Sequence, residues 1–500
     1  MEAILDKIEQ LEREHDQPDP ALLRRFNIKL GLRNADGSGV VVGLTAKGTV
    51  IGYVKVPKGG GTPAPEVLNN LHIPGLPSGT HVSPALAIYY LLHGIVPSPE
   101  TLKSFESRLA DQREYEIRPV EGELYYCGYN VAELVRHIES EQRFGFEEAA
   151  YLLLTGALPS RRDLGAFTEE LSSRRSLPKA AQRLIMSDSA NEDQMNALHR
   201  SVSAMSLFDE DPNSRSLRVI TRQGIDLLAK IPTIVAYNYQ ATAFARGHGT
   251  GLITPRPELS TAENFLYMLN GREPDPQQAR LLDMALILHA EHGGGNNSTF
   301  TVRVVSSSQA NTYMALTSGI ASLSGHLHGG ANEAVMRMMR GVKDAVGDWT
   351  DEAELEAHLQ RLLDREAGDK SGKLYGIGHA VYTRSDPRAG ILERHAGALA
   401  DALGRTDEFR LYQRTAAIGS ALVVRQKGKP VAPNVDFYSG LVYDMLGIPV
   451  EVFTPLFAMA RVAGWTAHRL EQLLQQRIIR PAYVSSFTMP HQYVPLSART

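Results

Sequence analysis

The period of the apolar positions changes twice along the chain. Up to about Asp19, charged and apolar residues alternate at helical spacing, which predicts an amphipathic helix packing on the body or on a partner. From Gly39 the pattern turns to strands: Val40-Val41-Val42-Gly43-Leu44, a turn at Ala46-Lys47-Gly48, then Val50-Ile51-Gly52-Tyr53-Val54 predict a β-hairpin. After Gly122 helical spacing takes over almost without interruption. Phe146 to Leu154 reads as a helix stopped by Gly156 and Pro159. Ser260-Thr261-Ala262-Glu263 is a capping box that opens a second helix. Asp275-Pro276 opens a third, with Asp as cap and Pro in the first turn, and Leu281, Ala285, Leu288, His289 and His292 as its core face. The charged stretch from Asp344 to Lys373 reads as solvated helix with a turn at Gly368 to Gly372.

Length and composition narrow the classes. A chain of 500 residues, 43% apolar and 22% charged, supports a large core that usually splits in two. A net charge of −4 with both signs interspersed offers no basic footprint for nucleic acid. The single cysteine, Cys127, excludes an intrachain disulfide and points to a reducing, cytoplasmic setting. The N-terminus lacks the apolar stretch of a secretory signal, and the longest greasy run, Ala85 to Val96, is too short to span a membrane, so a soluble protein is expected. Lys58-Gly59-Gly60-Gly61-Thr62-Pro63 lacks the ending and the strand–helix context of a phosphate loop.

Four separated segments set unusual polar residues beside glycine. His289-Ala290-Glu291-His292-Gly293-Gly294-Gly295-Asn296 ends a helix, where the dipole favours a protonated imidazole suited to an anion. A metal pair from His-x-x-His, or a hydrogen-bonded core histidine at His289, are the rival readings. In His326-Leu327-His328-Gly329-Gly330-Ala331-Asn332-Glu333, His328 precedes a helix N-terminus that resists protonation, so a neutral ring can donate to a carbonyl becoming an enolate; a plain glycine turn is the alternative. Gly376-Ile377-Gly378-His379-Ala380-Val381-Tyr382 with Arg388 offers a histidine and a bidentate carboxylate clamp. In Pro433-Asn434-Val435-Asp436-Phe437-Tyr438-Ser439-Gly440, apolar neighbours raise the basicity of Asp436, as a general base requires; a helix-cap role is the alternative.

Taken in this order, the set resembles the citrate synthase family. The resemblance rests on His328-Gly-Gly-Ala-Asn-Glu, on Gly376-x-Gly-His379-x-Val-Tyr with Asp386-Pro-Arg388, and on Asn434-Val-Asp436-Phe-Tyr-Ser-Gly, and runs from about Glu123 to Tyr483. It implies a mainly α, two-domain helical fold: an N-terminal extension over 1–121 with the helix and hairpin, a large domain over 122–331 and 440–500, and a small domain over 332–439. It also implies condensation of acetyl-CoA with oxaloacetate and hydrolysis of citryl-CoA, with no metal and no permanently bound cofactor. His328 would bond the thioester carbonyl while Asp436 removes a methyl proton, and His379 would polarise the oxaloacetate carbonyl. His292 and Asn296 would hold the keto acid, Arg388, Arg461 and Arg480 its carboxylates, and Phe457 would pack against it. Leu374, Gly376, Ile377 and Gly378 would meet CoA. A homodimer or larger homo-oligomer is implied, with Arg480 reaching the neighbouring subunit's site.

Two stretches depart from the family pattern. The segment to about Arg118, with its Pro/Gly-rich Pro74 to Pro84, is longer than a minimal member has, and packing across a dimer is expected of it. Between His328 and His379 the chain is extended by about ten residues, which predicts a longer surface element on the small domain. Neither removes a catalytic residue. A 2-methylcitrate synthase using propionyl-CoA shares every one of them, since one methylene changes discrimination only modestly. An inactive oligomeric homologue is the reading from another class.

Overall fold

The computed structural model describes residues 120–188, 193–379, 381–480, 493 and 495–499, and the backbone of 52–54. Within them the protein is built from sixteen α-helices and three short strands, a mainly α fold. The chain divides into two compact units; the first, comprising Met1–Gln17, Thr49–Gly60 and Tyr115–Ile478, carries every strand and α-helix named below. The described part of the second holds Arg480 and a single 3-10 turn, Leu496–Ala498. The predicted helix up to Asp19, the strand 40–44, the glycine loop 58–63 and the stretch 74–84 lie outside the described residues.

Strand β1 (Gly52–Val54) forms where the Val50–Val54 run predicts one, and it pairs antiparallel with β2 (Leu124–Tyr126) in the register Gly52 to Tyr126 and Val54 to Leu124. From β2 the chain returns as β3 (Tyr129–Asn130) through Cys127 and Gly128, both at positive φ, which is the two-residue turn that matches strand twist. Asn130 then caps α1 (Val131–Ser140). Next come α2 (Phe146–Thr155), closed by left-handed Gly156, α3 (Arg161–Arg174), α4 (Lys179–Ser187) and α5 (Gln194–Ala204). The long α6 (Leu217–Ala245) follows. The capping box at Ser260 opens α7 (Thr261–Asn270), and Asp275 with Pro276 opens α8 (Pro276–His289), both as predicted.

Helices α9 (Asn297–Ser307) and α10 (Thr312–Leu323) pack on each other, and α11 (Ala331–Ala345) starts just after the His328 turn. The stretch expected as solvated helix differs in one respect. Beyond the end of α11 at Ala345 the regular part is Glu352–Leu363 (α12), and its Leu355, Leu359, Leu362 and Leu363 are buried, so one face belongs to the core. The turn at Gly368 to Gly372 is present, with both glycines left-handed. Then follow α13 (Pro387–Ala402), α14 (Thr406–Lys427), against which α12 packs, α15 (Val435–Met445) and α16 (Phe453–Leu474).

Helix α16 is the axis of the core and touches α2, α6, α8, α9 and α10. It is buried nearly all round, and the charged side chains it carries inward, Arg461, His468 and Arg469, are buried with it. Its small residues mark close approaches: a Cβ at Gly464 would overlap the carboxylate of Glu291 and the carbonyl of Ala290. This seats the C-terminal end of α8, with its two histidines, directly on α16.

Candidate active site

The site is assembled where α8, the His328 turn, the 376–388 loop, α15 and α16 converge. His289 and His292 are buried at the end of α8. Both imidazoles are pushed well below their ordinary range, first by burial and then by the positive charges of Arg388 and Arg461; His379 and His328 add to the effect on His292. The expected protonated pair is therefore corrected to a neutral one. A helix terminus favours charge by about 0.3–1 kcal/mol, up to about 2 when partly buried, whereas burying an ion costs several kcal/mol. His289 is a core residue, but not a hydrogen-bonded one. Its ring packs on Phe457 at 4.6 Å, and neither ring nitrogen has a hydrogen-bond partner among the described residues.

His328 and His379 have their tautomers set by backbone amides. The Ser298 N–H, at the start of α9, donates to His328 Nε2 at 3.2 Å, and the Ser298 hydroxyl lies 2.9 Å from the same nitrogen. An Nε2 that accepts leaves the proton on Nδ1. Burial and then Arg461 push His328 down to about 4, so the ring is neutral near pH 7, as its position before α11 predicts. His379 is the mirror case: its Nδ1 accepts from the amides of Val381 (3.0 Å) and Tyr382 (3.2 Å), which puts the proton on Nε2. It too falls to about 4, through burial and Arg388. The His379 ring stands 5.2 Å from His292 and 4.8 Å from Tyr382. Asn296 does not turn to His292 in this structure; its Oδ1 accepts from the Ser298 hydroxyl at 2.9 Å, which links it to His328 instead.

The anion-binding groups surround these rings. Arg388 is buried and bidentate on Asp386, with Nε at 3.0 Å and Nη2 at 2.8 Å, and its guanidinium lies 5.5 Å from the Tyr382 ring centre. Arg461 donates through Nε to the His289 carbonyl at 2.6 Å and lies 4.7 Å over Phe457, while Nη1 and Nη2 have no partner among the described residues. Asp436 sits in the first turn of α15, behind the capping Asn434. Burial raises its carboxyl to about 6 against the pull of Arg388, with Asp386 raising it further and Arg461 opposing. Leu374 and Ile377 turn their side chains into the core, where a Cβ at Gly419 would meet both. The backbone of Gly376 and Gly378 pairs with Asn434 and Ala432 and so fixes the His379 loop beside α15. Arg480 belongs to the second unit and is exposed. Among the described residues no group of three or more His, Cys, Asp or Glu converges to hold a metal.

In the sequence Asp386 and Glu291 stand inside the motifs with no task of their own, and Ser298 and His468 belong to no motif. Asp386 caps α13, pairs with Arg388 and accepts the Val435 amide at 3.1 Å, so one buried carboxylate joins two site segments. Glu291 accepts the Gly293 amide and lies 3.0 Å from His468 of α16. Burial opposes charge on both, but their mutual attraction outweighs it, so Glu291 is lowered and His468 raised. The lowered carboxyl contributes stability above about pH 4.5 that is lost as pH falls through its folded value. The raised imidazole contributes stability below about pH 6.5 that is lost as pH rises through its folded value. Melting temperature is therefore expected to be highest between those limits and to fall on the alkaline side. His468→Gln should remove the alkaline fall and cost about 3–5 kcal/mol by stranding Glu291. A thermal-denaturation series over pH in which both proteins give the same curve would contradict the pair.

Two neutral histidines with fixed donor nitrogens, a carboxylate tuned to about 6 and two guanidinium groups suit enolisation next to a bound anion. Comparison with known proteins agrees. Residues 114–482 match the family described as citrate synthase, C-terminal domain. A citrate synthase of Haloferax volcanii is 40% identical over 72% of this chain and 88% of its own. A 2-methylcitrate synthase of Corynebacterium glutamicum is 36% identical over 77% and 94%. The solved citrate synthase of Pyrobaculum aerophilum superposes with a TM-score of 0.64 at 34% identity, covering 75% of this chain and 90% of that one. A match across 369 residues, joined to relatives at this identity, is decisive: the chain belongs to the citrate synthase family.

Proposed function

We propose that the protein condenses acetyl-CoA with oxaloacetate and hydrolyses the resulting citryl-CoA thioester. The supporting observation is the opposed tautomers of the two catalytic histidines. Nδ1–H of His328 is free to bond the thioester carbonyl, and Nε2–H of His379 is free to bond the keto-acid carbonyl. Asp436 takes an α-proton of the acetyl group while His328 stabilises the enol(ate) oxygen. The carbon nucleophile attacks the oxaloacetate carbonyl while the Nε2–H of His379 hydrogen-bonds the new alkoxide. The proton that Asp436 took from the acetyl group balances the one gained by the product hydroxyl, returning Asp436 to its ionised form. Water then cleaves the thioester, releasing CoA. Each charge develops where a donor already stands, so little reorganisation is needed.

Arg388 and Arg461 hold the keto-acid carboxylates, with His292 and Phe457 shaping the pocket. Asn296 acts through Ser298. CoA is assigned to the edge of the 374–378 loop, where Gly378 alone of the four assigned residues is partly exposed. The segment 332–439 serves as the small domain that closes over both substrates, excluding water. A cytoplasmic homodimer in which Arg480 completes the neighbouring site fits the same reading.

The relatives named 2-methylcitrate synthase motivate a second reading with propionyl-CoA. Thiol release measured with oxaloacetate and each acyl-CoA separates the two. Acetyl-CoA is expected to give the higher kcat/KM, by roughly 10–200-fold if one methylene is discriminated sterically. A higher value for propionyl-CoA reverses the preference, and no release with either defeats both.

A further inference from the structure

The keto-acid pocket is carried by two segments far apart in the chain, 287–293 and 379–388, and one short stretch bonds to both. At one end of it, the Tyr126 hydroxyl donates to the Ile287 carbonyl at 2.7 Å and accepts the Glu291 amide at 3.2 Å. At the other end, the Gly122 amide donates to Ser385 Oγ at 3.1 Å, and the Ser385 hydroxyl donates to the Glu121 carboxylate. Gly122 also lies flat on Tyr382: a Cβ there would stand 2.6 Å from Tyr382 Cδ1 and overlap the Ser385 carbonyl. The Tyr382 ring in turn packs on His379 at 4.8 Å and on His292 at 5.5 Å. Its hydroxyl is buried with no hydrogen-bond partner among the described residues, so contact alone holds the ring. Between the two ends runs β2, paired on both edges by β1 and β3, with Leu124 and Tyr126 buried. A strand paired on both sides has a fixed rise of about 3.3 Å per residue and acts as a rigid spacer.

We propose that Glu121–Tyr126 is a brace that sets the separation of His292 and His379 across the keto-acid pocket. Gly122, Tyr126 and Ser385 are then positioning residues for the condensation. The inference rests on the proposed reading that both histidines face the same keto acid. It explains why glycine stands at 122, which is neither a turn nor a left-handed position: the backbone must come flat against the Tyr382 ring, where a Cβ would collide with it.

The test uses the full-length protein and the variants Ser385→Ala, Ser385→Thr, Tyr126→Phe and Gly122→Ala. Hydrogen–deuterium exchange at Val381 and Tyr382 reads the brace directly, because those amides donate to His379 Nδ1. Ser385→Ala is expected to speed their exchange while melting temperature and exchange elsewhere stay unchanged. Its KM for oxaloacetate should rise roughly three- to tenfold, the worth of one hydrogen bond, with the acyl-CoA KM within about twofold. Ser385→Thr should restore both readings, and Tyr126→Phe should repeat the KM pattern from the other end. Gly122→Ala should lower kcat/KM by about a hundredfold, as a displacement of about 1 Å does. Unchanged exchange at 381–382 in Ser385→Ala overturns the brace, and so does a parallel rise of both KM values. If the wild-type protein fails to bind oxaloacetate in a calorimeter, the functional reading fails while the exchange result still decides the brace.

Discussion

Asp436→Asn is expected to lower kcat for citryl-CoA formation by about 10²–10⁴-fold, the range a positioned general base contributes, while the affinity for oxaloacetate stays near wild type. The amide keeps the shape of the side chain but has no basic oxygen. Asp436 also predicts the pH profile of the wild-type enzyme. A base acts only when ionised, and its carboxyl sits at about 6. The rate should therefore fall on acidification below about pH 6, nearing tenfold per pH unit, because His328 and His379 stay neutral until about 4. Stability should move the other way. A carboxyl raised by burial binds its proton more tightly in the folded protein than in the unfolded one, so its ionisation costs stability as pH rises through that range. The Asn variant, with no charge to bury, is expected to melt no lower than wild type near pH 7. Stopped-flow thiol release, calorimetric titration with oxaloacetate and thermal denaturation check these outcomes. Loss of oxaloacetate affinity in the variant would remove Asp436 from the role of base.

What could be read from the sequence divides along physical lines. Features decided by a few neighbouring residues are present where predicted: the caps at Ser260 and Asp275, the stop at Gly156, and the turn with Gly368 and Gly372. The resemblance named candidate side chains, and the structure brings His292, His379, Arg388, Arg461 and Asp436 into one electrostatic neighbourhood. Charge states were harder to foresee. His292 is neutral because two guanidinium groups from remote segments approach a ring already out of water, and helix position alone suggests the opposite. The second tasks of polar residues were harder still. Gly122 meets a serine 263 residues away. Asp386 looks like an ordinary helix cap until the fold brings Val435 to it. Such contacts have no local signature, since both partners are common residue types and only the tertiary path joins them.

The two arginines make a sharper contrast than their shared assignment suggests. Arg388 is matched within the protein by Asp386, so removing it leaves a buried carboxylate without its partner. Arg388→Leu is expected to cost about 3–5 kcal/mol of folding stability as well as keto-acid binding. Arg461 is different. It is buried, its two Nη atoms have no hydrogen-bond partner among the described residues, and burial lowers it to about 10 in spite of Glu291 and Tyr126. A guanidinium in that condition is prepared for a ligand at the expense of the free protein. Arg461→Leu should therefore weaken oxaloacetate binding by about 2–5 kcal/mol, the usual penalty for truncating a buried charge pair, with the melting temperature of the ligand-free protein level or raised. Denaturation of both variants with and without saturating oxaloacetate separates the cases: wild type should gain stability from the ligand by mass action and Arg461→Leu should not. Equal loss of ligand-free stability in the two variants would show that Arg461 is held by the protein's own contacts and has no dedicated anion to bind.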